Sequence, residues 1–235
     1  EYYLPKPYIR IEGTDKKGNS KEKKKFKKLK YIPLSTLERY LKGETKAEEF
    51  EEEQELGYTG MKVSVAVRGK EEPEPYRVRY FTFQEGNGLY FLVKTDNEEG
   101  IQLLDELMTG LSYSGIGGKR HTGMGRFEYE RCDMPAILRT KLETSAEKYM
   151  LLSTALPEEN ELEQILEQAE YQLLKRSGFV ASTDYADQQM RKRDLYVFQS
   201  GSCFRKTFSG QIVDVSDAGR HPVYRYAMGI FMGVG

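Results

Sequence analysis

The stretch GIGGKRHTGMGRFEYE, residues 115–130, constrains this chain more than any other. It sets five glycines, Gly115, Gly117, Gly118, Gly123 and Gly125, within eleven residues and threads Lys119, Arg120, His121 and Thr122 between them. Glycine reaches positive φ without steric cost and lets another backbone approach closely. Such a run is a loop, and its flanks say what it joins. Before it, EEGIQLLDELMTGL carries Ile101, Leu104, Leu107 and Met108 on one side of an amphipathic helix. After it, RFEYERC alternates like a strand. A helix–strand junction needs one or two glycines, so five point to a guest. Consecutive N–H groups form an anion-binding nest, and Lys119, Arg120 and Arg126 add positive charge. The pattern reads as a polyanion site.

Nucleotide folds do not account for it. A P-loop needs its first glycine where Tyr113 stands, and Ser or Thr where Arg120 follows Gly118-Lys119. The dinucleotide fingerprint fails because Arg120 occupies the place of its third glycine. The element order, helix then loop then strand, is also the reverse of both.

Elsewhere the chain alternates strands with single helices. LPKPYIRIE is extended, because two prolines three residues apart stop a helix from starting. YIPLSTLERYLKGE predicts a short helix capped by Ser35, striped by Leu34, Leu37 and Leu41, and ended by Gly43. MKVSVAVRG predicts a strand with one buried face. YRVRYFTFQEGNGLYFLVK predicts a hairpin turning at Gly86-Asn87-Gly88. In the second half, KYMLLSTALP is a strand. PEENELEQILEQAEYQLL is a helix with Pro157 in its first turn and an apolar stripe of Leu162, Ile165, Leu166 and Ala169. GFVAS, DLYVFQSGSCF, GQIVDV and HPVYRYAMGIFMGV complete it as strands and loops. The fold class is α+β, in two tandem modules over 1–135 and 136–235, and the order strand, hairpin, helix, loop, strand fits a ferredoxin-like arrangement.

Net charge of −1 at first argues against a nucleic-acid binder. Segregation answers this: Lys16–Lys30 is almost uniformly basic and Glu44–Glu55 almost uniformly acidic, as charged surface insertions are. No apolar run approaches the roughly 18 residues of a membrane span. No signal peptide opens the chain, so the expectation is cytoplasmic. The missing initiator Met predicts that a longer protein precedes Glu1. With Cys132, Cys203, His121 and His221 as the whole thiol and imidazole complement, neither a disulfide framework nor a zinc site is expected. The Asp and Glu residues lie in solvated runs, unlike the convergent clusters of a two-metal nuclease.

The glycine loop resembles that of the RAMP superfamily of CRISPR proteins, where it joins the second helix to the last strand of a ferredoxin-like fold. LPKPY, KKLKYIPLSTLERYLKGE, the loop itself, SGSCFRKTFSGQIVDVS and HPVYRYAMGIFMGV together resemble the Csm subunit four family of type III-A effector complexes. The family has a further N-terminal segment before LPKP, carrying the opening strand and helix of the first module. The resemblance implies a non-catalytic, cofactor-free subunit that holds the 5′ handle of the crRNA. It also implies docking to the large polymerase-like subunit on one side and a backbone RAMP subunit on the other, with target RNA met indirectly. Gly115, Gly117, Gly118, Lys119, Arg120, His121, Thr122, Gly123, Gly125 and Arg126 then face RNA, as do His221, Tyr224 and Arg225 of HPVYRY. By position, Lys62–Arg79, with Arg68, Lys70, Arg77 and Arg79, corresponds to the thumb-like hairpin of backbone subunits.

Two other readings stay open. Other RAMP proteins cut precursor crRNA without metal through a histidine, a role available to His121. A pure scaffold would dock through the acidic face of Glu158–Glu170, including Glu163 and Glu167.

Overall fold

The computed structural model describes residues 1–10, 20–50, 56–66, 74–95 and 97–235. The chain divides into two compact units. One holds Glu1–Glu52 together with Met134–Gly235, the other Glu53–Asp133. The cut near residue 134 lies beside the expected module boundary at 135, but the N-terminal 52 residues group with the C-terminal half.

β1 (Tyr3–Pro5) pairs antiparallel with β2 (Tyr31–Pro33), so the N-terminal LPKP is a strand edge as its prolines require. Between them lies α1 (Ser20–Lys28), within the described part of the basic block. It is more than a solvated insertion. Phe26 packs with Tyr40 and Phe50, both at 6.3 Å between ring centroids, and its carbonyl accepts a hydrogen bond from Lys6 Nζ at 2.6 Å. One aromatic in a lysine run suffices to anchor a helix on an apolar patch. After β2, a 3₁₀ turn over Leu34–Thr36 leads into α2 (Leu37–Leu41), with Leu34, Leu37 and Tyr40 buried. Ser35 does not cap this helix. Its Oγ donates to Glu1 at 2.7 Å instead, because the 3₁₀ turn places it inside the element and not at its start.

In the second unit, β3 (Gly57–Ala66) and β4 (Glu74–Phe83) form a ten-residue antiparallel ribbon, Gly57 opposite Phe83 and Ala66 opposite Glu74. This corrects the expected hairpin. β4 pairs with the strand before it, and Asn87 closes only a local turn by donating to Gln84 O at 3.0 Å. Nor has β3 a buried face: Met61, Val63 and Val65 are 51–60% exposed. α3 (Glu98–Ser114) is capped by Asn97, which accepts from Gly100 N at 2.7 Å. RFEYERC forms no strand among the described residues. It is extended and held to α3 by side chains: Tyr129 shares a hydrogen bond with Thr109 at 2.7 Å, and Arg131 ion-pairs with Asp105. Arg68 and Lys70 lie outside the described residues.

The chain re-enters the first unit at α4 (Ala136–Glu143), whose Lys141 ion-pairs with Glu38. β5 (Tyr149–Leu151) is the middle strand of a three-stranded sheet that β8 (Cys203–Phe204) and β11 (Phe231–Gly233) complete. α5 (Leu162–Leu166) follows a capping box of Glu158 and Glu161. It ends sooner than predicted, with Gln168 in the left-handed region at φ 55°. β6 (Leu173–Arg176) pairs with β7 (Leu195–Phe198), and β9 (Gly210–Asp214) with β10 (Tyr224–Met228), both antiparallel. Among the described residues every sheet is antiparallel and mixed with helices, so the α+β class holds. The core is aromatic: Phe198, Phe204, Phe208 and Phe231 stack edge to face at 4.9–5.5 Å in successive pairs around Leu151, Ala155 and Ile165. Among the described residues no helix is long and apolar enough to cross a membrane.

The two thiols separate cleanly. Cys132 is exposed, while Cys203 is buried in β8, where burial pushes its thiol up to about 12. The thiolate is the reactive form. At pH 8 a thiol-disulfide reagent is expected to titrate Cys132 at once and Cys203 only after denaturant is added. Release of both equivalents from the native chain would contradict the packing of β8.

Candidate nucleic-acid interface

The glycine loop begins where α3 stops. Gly115 N donates to Leu111 O at 2.7 Å, and the next amide, Ile116 N, donates to Gly125 O at 2.9 Å, which closes the loop at its neck. Inside, Arg120–Thr122 make a single 3₁₀ turn, with Thr122 Oγ1 donating to Lys119 O at 2.8 Å. Four of the five glycines, all but Gly118, have φ between 74° and 100°. This corrects the estimate that a junction needs one or two. The loop's own backbone uses four, each in a positive-φ conformation that other residues rarely adopt. At the neck the requirement is steric as well, since a Cβ on Gly125 would overlap the Ile116 carbonyl oxygen. Gly118 is different. Its φ is not positive, and a Cβ there would meet nothing within 4 Å.

The charges are arranged unequally. Arg120, His121 and Arg126 are exposed, and among the described residues their side chains make no hydrogen bond or ion pair. Lys119 is half-buried and pinned: its Nζ donates to Tyr76 Oη at 3.1 Å and lies 4.9 Å from the centre of that ring. The lysine bond and its charge hold the Tyr76 phenol below its ordinary range. Tyr76 therefore belongs to the site, a residue that sequence reading missed. It lies 43 positions away on β4, and only the tertiary fold of this unit brings it to the loop. Arg77 and Arg79 alternate with Tyr76 and so project from the other side of the ribbon. A cation fixed on an aromatic ring, beside free arginines, is an arrangement suited to a phosphate backbone with unstacked bases.

The second candidate group, His221, Tyr224 and Arg225, belongs to the other compact unit. His221 is occupied. Its Nδ1 lies 2.9 Å from Pro222 O, and a carbonyl only accepts, so Nδ1 carries the proton and Nε2 accepts from Ser182 Oγ at 2.9 Å. Its ring also meets buried Tyr185 edge to face at 5.2 Å. Tyr224 is 65% exposed on β10, but Arg225, next in the strand, faces the opposite side. The three residues do not converge.

Residues 144–234 match the profile described as the CRISPR Csm4 C-terminal domain. "CRISPR system Cms protein Csm4" of Mycobacterium tuberculosis (strain ATCC 25618 / H37Rv) is 39% identical over all of this chain and 76% of the relative. The protein of that name from Streptococcus thermophilus is 36% identical over 97% of this chain and 75% of the relative. In fold, the chain is similar to one in the crystal structure of a Csm3-Csm4 subcomplex of the type III-A CRISPR-Cas interference complex. That match has a TM-score of 0.64 and 18% identity over 98% of this chain and 78% of the other. It is similar also to one in a Csm1-Csm4 cassette in complex with cA4, at TM-score 0.58 and 19% identity over 100% of this chain and 74% of the other. With relatives 36–39% identical over nearly all of this chain and three quarters of their own length, the chain belongs to the CRISPR Csm4 family.

Proposed function

We propose that this chain is a non-catalytic RNA-binding subunit of a cytoplasmic Csm effector complex in antiviral defence. It holds the 5′ handle of the crRNA on the glycine loop. It bridges the large polymerase-like subunit to the backbone filament and meets target RNA only indirectly. The observation that carries this is the loop itself: exposed Arg120, His121 and Arg126 around an open Gly118, with Lys119 fixed on Tyr76. The bridging role is supported by relatives of similar fold, one crystallised in a Csm3-Csm4 subcomplex and another in a Csm1-Csm4 cassette. On this reading each half of the chain contributes to a ferredoxin-like RAMP module, and the β3–β4 ribbon with Arg77 and Arg79 is the thumb.

The endoribonuclease reading needs a second acid–base group beside His121. Among the described residues no side chain hydrogen-bonds to it, which favours a binding role. The test is crRNA binding to the assembled complex with RNA integrity followed in the same sample. Changing Lys119→Ala and Arg120→Ala is expected to weaken handle binding by about tenfold or more. It should also flatten the salt dependence by about 1.4, two single-strand phosphate contacts at about 0.7 each. RNA cut by wild type and spared by His121→Ala would overturn the non-catalytic reading.

A further inference from the structure

A second cationic surface lies on α1, where residues 24–28 read KKFKK. With about 3.6 residues per turn, Lys24, Lys27 and Lys28 share one face of the helix and Phe26 occupies the opposite one. Burial follows this division: the three lysines are exposed, while Phe26 is half-buried. The helix is fixed on its phenylalanine side. Phe26 meets the rings of Tyr40 and Phe50, and its carbonyl accepts from Lys6 Nζ. Just past the helix, Lys30 O accepts from Lys6 N at 2.9 Å. A solvated lysine tail needs none of these anchors; here they present one face of cations in a fixed place.

No acid answers these charges. Among the described residues, Lys24, Lys27 and Lys28 make no hydrogen bond or ion pair. Glu49, next to Phe50 in a 3₁₀ turn over Ala47–Phe50, is taken up by Arg39 at 3.1 Å and by the Lys46 amide at 2.9 Å. Like charges three and four apart on a helix repel, and an external anion relieves that repulsion. Three features choose the anion. The apolar side of α1 is used inside the protein, so no amphipathic face remains for a lipid surface. The outward face is lysine alone, without arginine or an apolar residue. Protein interfaces are depleted in lysine and centre on arginine, aromatic and other apolar anchors, so an acidic protein surface fits poorly. Lysine meets phosphate as a point charge, and several of them together displace the counterions of a nucleic-acid backbone. With no ring on that face to stack a base, the contact is blind to sequence.

We infer that the Lys24, Lys27 and Lys28 face of α1 is a phosphate-backbone site for nucleic acid, blind to sequence and independent of the glycine loop. The test compares four forms of the full chain: wild type, Lys24→Gln with Lys27→Gln and Lys28→Gln, the same three lysines changed to Arg, and the loop variant Lys119→Ala, Arg120→Ala. Labelled single-stranded RNA without the handle, duplex DNA of equal length, crRNA and a polyglutamate peptide are each titrated at several salt concentrations, and thermal midpoints are recorded. The glutamine variant is expected to bind handle-free RNA and duplex DNA about tenfold or more weakly. Its salt slope should be flatter by about 2 on the single strand and about 2.7 on the duplex, three contacts at about 0.7 and 0.9 each. The arginine variant keeps the charge and should bind as wild type does. The glutamine variant's midpoint should be unchanged or higher, since repulsion has been removed. Unchanged nucleic-acid binding by the glutamine variant overturns the site, as does weaker binding that accompanies a lower midpoint. A loss on RNA that spares duplex DNA overturns a contact to phosphate alone. Polyglutamate binding lost while nucleic-acid binding stays would assign the lysines to an acidic protein. If only the loop variant weakens on crRNA and the glutamine variant is unchanged on every nucleic acid, this site falls and the handle reading stands. If the glutamine variant alone weakens, the handle reading at the loop falls and this site stands.

Discussion

Gly201→Ala is expected to lower the thermal midpoint by on the order of 10 °C. Gly201 sits in the SGSCF turn between β7 and β8, where the N-terminal segment crosses the three-stranded sheet. Its N donates to Leu151 O at 2.7 Å and its carbonyl accepts from Tyr8 N at 2.8 Å, so one buried residue joins β5 to residues 6–8. Its φ is 92°, and a Cβ would overlap the Lys6 carbonyl oxygen. The obstacle is backbone, which cannot swing aside as a flexible side chain would. Left-handed strain costs about 1–3 kcal/mol, overpacking about 1–3 kcal/mol, and a lost hydrogen bond about 1 kcal/mol. Together these reach about 3–7 kcal/mol, and a chain of this size loses about 2–4 °C per kcal/mol. Scanning calorimetry measures the midpoint. A value equal to wild type would mean the crossing does not hold the N-terminal strand in place.

That crossing also shows what the sequence made legible. SGSCF was visible as a motif, and its glycine and buried Cys203 are explained by packing alone, with no ligand involved. Local signals carried most elements. The prolines of LPKP gave an extended segment, the apolar stripe of EEGIQLLDELMTGL gave α3, and Pro157 gave the start of the helical run after it. Partner choice was not local. Gly86-Asn87-Gly88 has turn chemistry, yet β4 pairs backwards with β3, because ten matched residues outweigh the shorter run from Leu89. Alternation in MKVSVAV correctly put Val63 and Val65 on one face. Periodicity cannot say whether another layer covers that face, and here none does among the described residues. At the site, the loop's cations were readable from composition. Tyr76 was not, since its contact with Lys119 joins residues 43 positions apart and no local pattern links them. Arg225 was grouped with Tyr224 as a neighbour in sequence, but strand alternation sends the two to opposite sides.

Gly118→Val is expected to weaken crRNA binding by about tenfold or more while leaving the thermal midpoint within about 1 °C of wild type. The contrast with Gly125→Ala gives this its force. At Gly125 both the φ of 80° and the overlap with Ile116 O demand glycine, so alanine opens the neck and lowers stability and binding together. At Gly118 the backbone makes no such demand and the space beyond it is empty. Exposed substitutions without strain change stability by about 0.5 kcal/mol at most. A glycine there has no folding reason to be one, whereas a guest backbone pressed against the loop supplies the reason. Branched valine fills that space, and alanine, with one small methyl, should cost less. If Gly118→Val binds crRNA as wild type does, the guest does not lie against residue 118. The cations Arg120 and Arg126 would then engage it from farther out. If Gly118→Val unfolds the loop, with a midpoint drop like that of Gly125→Ala, the open space beyond Gly118 is not what the backbone geometry describes.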